Sequence, residues 1–195
     1  MKTDVIQLES ANLNMDRALG EVSKCAAYEL LTQKQALRLQ LLSEELLGMM
    51  KGILGDYKAD FWLEAENKRF EIHLTANTNV SEGEREKLLS VSSSGENIAA
   101  RGFMGRVRQV FEAALYGDDQ ALAMAGIAGS QGGYDMGSMA FAEAWSLMAY
   151  KAQMEAQAGR EEWDELEKSI VASLADDVKV GVRCRQAEII ITKQF

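Results

Sequence analysis

Residues 32–55 read TQKQALRLQLLSEELLGMMKGILG, and the spacing within them predicts the layer on which the rest of the chain is built. Thr32 and Gln35 form a capping-box pair, each side chain suited to satisfy an amide left unpaired at a helix start. Leu39, Leu42, Leu46, Met49 and Ile53 recur at intervals of three and four, which predicts one apolar helical stripe. A second stripe, Leu37, Leu41, Glu44, Gly48 and Lys51, puts a carboxylate, a bare backbone position and an ammonium on one face. Gly48 and Gly52 each cost a helix about 1 kcal/mol relative to alanine, which suits either close approach of another group to the backbone or a core helix that tolerates its glycines.

Working outward, the segment before this helix predicts a strand and then a helix. In residues 5–9 the apolar Ile6 and Leu8 alternate with polar neighbours, as in an edge strand. Asn14 offers an N-cap, and Met15, Leu19, Val22, Ala26 and Leu30 form a helical stripe that ends beside Thr32. After the central helix, Phe61, Leu63 and Ala65 alternate, as do Phe70, Ile72 and Leu74, with a turn at Asn67 and Lys68. His73, the one histidine, falls on the opposite face with Arg69, Glu71 and Thr75. No carboxylate or cysteine is spaced to activate it, so it reads as a sheet-face residue.

Later segments are less regular. Residues 81–94 are a charged helical stretch ending in serines, and Phe103, Val107, Val110, Phe111 and Ala114 give the next helix an apolar face. Residues 117–138 hold six glycines among small and acidic residues and read as a mobile loop or a linker. Gly132 and Gly133 lack a following Gly-Lys-Ser/Thr, which excludes a P-loop. A long helix is expected over residues 139–158, with Phe141, Trp145, Met148 and Ala152 on one side, then a helix carrying Trp163, Leu166, Ile170 and Leu174. That first stripe suits either the core or a second copy of the chain. Val178, Val180, Val182 and Cys184 alternate, as do Ala187, Ile189 and Ile191, so two strands close the chain.

The motif Glu44-x-x-x-Gly48-x-x-Lys51 resembles the helix motif of the Bergerat-fold ATPases, the group that includes gyrase, histidine kinases and anti-sigma factor serine kinases. The order of elements is similar to the anti-sigma kinases over most of the chain. The resemblance implies an α/β two-layer sandwich: a mixed, mainly antiparallel sheet covered on one face by helices. It implies one domain over residues 1–195, with a glycine-rich lid at about 117–138 and an inserted helical region at about 95–160. It implies Glu44 or Glu45 as the base, ATP with Mg²⁺ as the cofactors, and Lys51 near the phosphates. Gly48 occupies the place of the family's metal-holding Asn. Thr75 and Asn77 occupy the place of its adenine-binding turn, where an Asx turn is the plainer reading of Asn77. Gly132 and Gly133 match its phosphate-cradling lid. The expectation is a regulatory protein that acts through a partner protein, with nucleotide binding weak or lost and homodimerisation in the manner of such kinases. The alternative is an active ATP-dependent serine kinase.

Composition sets outer limits. A chain of 195 residues, 47 % hydrophobic and 26 % charged, suits one globular domain. A net charge of −9 disfavours a nucleic-acid surface, which needs clustered lysine and arginine. No apolar run reaches the roughly 20 residues that a membrane span requires. The first residues lack a secretory pattern, so a cytoplasmic location is expected. Cys25 and Cys184 are too far apart in sequence for a metal-type pair and read as buried apolar residues.

Overall fold

The computed structural model describes residues 1–9, 14–53, 58–77, 107, 111, 142–157, 169–183 and 186–195. Among these, the strands are β1 (Ile6–Glu9), β2 (Lys58–Glu66), β3 (Arg69–Asn77), β4 (Ala142–Ser146), β5 (Asp177–Arg183) and β6 (Gln186–Gln194). They form a single sheet in the order β1-β2-β3-β6-β5-β4, and every pairing is antiparallel. The expected mixture of parallel and antiparallel neighbours is therefore corrected for the described strands. Helices α1 (Met15–Tyr28), α2 (Gln33–Ile53), α3 (Leu147–Gln157) and α4 (Ile170–Leu174) complete an α/β arrangement.

Local chemistry accounts for the first half. At the end of α1 the Leu31 amide bonds to the Ala26 carbonyl and the Leu30 amide to that of Ala27, with Leu30 left-handed at φ 53°. This is a Schellman ending. The next helix starts two residues on, where Thr32 and Gln35 satisfy each other's amides as the capping pair predicts. The β2–β3 hairpin turns on Asn67 and Lys68 alone, both at positive φ, the geometry that matches the twist of the strands. As expected, β1 lies at the sheet edge.

One face of the sheet is apolar. Phe61 and Leu63 of β2, Phe70, Ile72 and Leu74 of β3, Val178 and Val180 of β5, and Ile189 and Ile191 of β6 share a buried cluster with the helices. Helix α1 adds Ala18, Val22, Cys25 and Ala26, while α2 adds Leu39, Leu42, Leu46, Leu47 and Met50. The α2 stripe is thus rotated slightly from the predicted one: Leu47 and Met50 are buried, and Met49 is only half-buried. Val107 and Phe111, both helical, are buried in the same cluster, in keeping with their predicted stripe.

Two expectations fail further along. The single helix over residues 139–158 is instead strand β4 followed by α3. Alanine, glutamate and serine argue for helix locally, but pairing with β5 satisfies the backbone of residues 142–146 and overrides that propensity. Ser146 then caps α3 by accepting the Ala149 amide, and Asp177 of β5 accepts that of Met148. Met148 and Ala152 face outward, Leu147 is buried, and the side chains of Phe141 and Trp145 lie outside those described. In α4, Ile170 is exposed and Val171 and Ala172 are the buried positions, because Ser169 starts the helix there. Residues 81–94, the glycine-rich stretch 117–138, Trp163, Leu166 and Cys184 lie outside the described residues. Among the described residues no helix is long and apolar enough to cross a membrane.

Candidate functional site

Helix α2 carries the residues that the family motif singles out. Glu44 is half-buried and accepts a hydrogen bond of 2.8 Å from the Gln40 side chain, one turn earlier. Glu45 is also half-buried. Gly48 is exposed, and nothing lies within 4 Å of where its Cβ would stand. No group of the described chain therefore approaches the backbone at Gly48, and the position is open. The Lys51 backbone is helical, with its side chain outside those described.

The remaining candidates are placed differently from the expectation. Strand β3 does not stop before Thr75 but runs on to Asn77, pairing Thr75 with Glu188 and Asn77 with Gln186. Continued pairing with β6 supplies the backbone partners that an Asx turn would have supplied. Thr75 is buried and, by alternation, shares the polar face with Glu71 and His73, whereas α2 packs on the apolar side. The sheet thus separates Thr75 from Glu44 and Gly48. The Asn77 side chain, Gly132 and Gly133 lie outside the described residues.

The polar face holds an arrangement that sequence reasoning missed. His73 is 5 % exposed and Glu188 1 %, and His73 Nδ1 lies 2.9 Å from Glu188 Oε1. The carboxylate partner comes from β6, 115 positions along the chain. It reaches His73 because β3 and β6 are neighbours, with Glu188 opposite Thr75 and so diagonal to His73. Glu188 thereby engages Nδ1, and the second ring nitrogen, Nε2, points away from that contact. Among the described residues, His73 Nε2 and Glu188 Oε2 are both buried without a hydrogen-bond partner. Among the described residues, Glu71 Oε2 lies 3.7 Å from Nε2, while Arg69 binds the other oxygen of Glu71 at 3.0 Å.

Neighbouring groups hold the imidazole in place. The Trp62 ring stacks on it at 4.7 Å with an interplanar angle of 6°. Trp62 Nε1 donates to Glu64 Oε1 at 3.0 Å, and Lys2 Nζ reaches the same oxygen at 2.9 Å while lying over the Trp62 ring. Lys2 holds the Glu64 carboxyl below the usual carboxylate range; partial burial opposes it, and Trp62 assists. Elsewhere, burial foremost pushes the Cys25 thiol up to about 11, which suits its reading as an unreactive core residue. Among the described residues no three His, Cys, Asp or Glu side chains converge as a metal group. In chemical terms an imidazole whose Nδ1 donates to a carboxylate presents its Nε2 as a base or a metal donor, and Glu188 is placed to orient His73 in that way.

Comparison with known proteins adds no assignment: no family model matches the chain, and no curated protein matches it.

Proposed function

We propose that the chain is a regulatory protein-binding module of the histidine-kinase-like ATPase type, with a two-layer Bergerat-like architecture and a nucleotide site no longer equipped for catalysis. The α2 face carries this reading. Glu44 is engaged by Gln40, and position 48, with open space around it, has no side chain to hold a metal ion. Phosphoryl transfer depends on Mg²⁺ to neutralise charge between the β- and γ-phosphates, so loss of that ligand costs far more in catalysis than in binding. Tyr28, Leu30 and Leu37, all exposed around the α1–α2 connection, supply apolar surface suited to a protein partner.

Calorimetric titration with Mg-ATP tests the nucleotide half, with no sub-millimolar binding expected. Capture of partners with and without ATP tests the other half, with the same partner expected in both. Sub-millimolar Mg-ATP binding together with serine phosphorylation of that partner would favour the active kinase instead. Gly48→Asn, which the open space accommodates, is expected to raise Mg-ATP affinity; no gain would remove the motif-based part of the reading.

A further inference from the structure

We propose that His73 and Glu71, oriented by Glu188, form the protein half of a site for a divalent transition-metal ion of the zinc class. The proposal stands apart from the regulatory reading, because these residues lie on the face of the sheet away from α2. Three observations carry it. First, His73 Nδ1 is held by a carboxylate at 2.9 Å, the outer-shell contact that fixes tautomer and ring orientation in metal-binding histidines. Second, Nε2 is buried and has no hydrogen-bond partner among the described residues, although a buried polar atom without a partner is costly. Third, Glu71 Oε2 lies 3.7 Å from Nε2, too far for a hydrogen bond. Two bonds of about 2.1 Å would close that gap at an angle of about 120°, within the range of four-coordinate zinc.

The surroundings fit the ion as well. Arg69 occupies only Oε1 of Glu71, leaving Oε2 to face the imidazole. Stacking on Trp62 fixes the ring plane in which the metal must lie. Glu71 is half-buried, so its carboxylate is the solvent-facing member of the pair. Lys179 lies on the same face of β5 by register, and it is not the partner of Nε2. With two protein ligands from the described residues, the remaining coordination positions are left for water, and affinity in the micromolar range is expected rather than that of a closed structural site.

The test is titration of the metal-free full-length protein with Co²⁺, read by its visible absorption bands, and with Zn²⁺ by calorimetry. One equivalent is expected, reversed by EDTA, lost in His73→Gln and weakened at least tenfold in Glu71→Gln. Glu188→Gln should weaken binding 10- to 100-fold while leaving the stoichiometry unchanged. Absence of saturable binding up to millimolar metal would overturn the proposal, as would binding that survives His73→Gln and therefore belongs to another site. If His73→Gln does not fold, unchanged affinity in Glu71→Gln overturns it equally.

Discussion

Leu30 occupies the position after helix α1 where glycine is the usual residue, and its conformation is the reason. At φ 53° the Cβ crowds the following carbonyl, a strain of about 1–2 kcal/mol. The side chain recovers little, being 81 % exposed. Leu30→Gly is therefore expected to stabilise the fold by about 0.5–1 kcal/mol after the larger chain entropy of glycine is subtracted, and Leu30→Val to destabilise it. Urea midpoints at constant m-value check both. Glu64 makes a pH prediction at the same scale. Its folded pKa is depressed, chiefly by Lys2, so its contribution is present above the unfolded value of about 4.3 and is lost as pH falls through the folded value. Both partners are partly exposed, which limits the pair to about 0.5 kcal/mol. Lys2→Met should raise the Glu64 titration midpoint measured by carboxyl NMR, and its stability deficit at neutral pH should vanish once Glu64 is protonated in both states.

Elements that close on their own neighbours were legible, and those that depend on distant strands were not. The Thr32–Gln35 cap, the turn at Asn67 and Lys68, and the alternation of β2, β3, β5 and β6 each need only a few consecutive residues. Strand β4 needs β5, about 35 positions away, and its own residues argue for helix. The signal overlooked there was Ser146, a helix-starting residue in the middle of the supposed helix. Removing the cap that β5 adds to α3 should be measurable. Asp177→Ala leaves the Met148 and Val178 amides without their carboxylate and is expected to cost about 1–2 kcal/mol in a thermal or urea melt. On α2, Gly48→Ala should move stability the other way by about 1 kcal/mol, because the methyl group enters open space in a helix interior. A loss of stability there would show that the Gly48 face is covered.

At the scale of the whole molecule, the strand order governs what the parts can do together. The last strand, β6, lies between β3 and β5, joining the three N-terminal strands to the two that precede it in sequence. The same insertion brings Glu188 to His73, which is why no local pattern disclosed that pair. Alternation put His73 and Glu188 on polar faces, but only the neighbourhood of β3 and β6 made those faces one. The order also predicts how stability is distributed. Ile189 and Ile191 pair across β3 with Leu74 and Ile72, and all four side chains are fully buried. Ile191→Ala removes apolar volume at the seam between the two halves and is expected to cost about 2–5 kcal/mol. Ile170→Ala, at a position 44 % exposed on α4, should stay within about 0.5 kcal/mol. Because pairings at the seam join residues more than a hundred positions apart, their loss should lower the whole sheet's stability together rather than fray one end. Native-state hydrogen exchange distinguishes these outcomes. Amides of β3 and β6 should exchange only through global unfolding in the wild type, while those of the edge strands β1 and β4 exchange sooner. In Ile191→Ala, protection at the centre should fall by the full loss of stability. If protection fell only in β5 and β4, the two halves would be separate cooperative units, and the seam would not hold the sheet together.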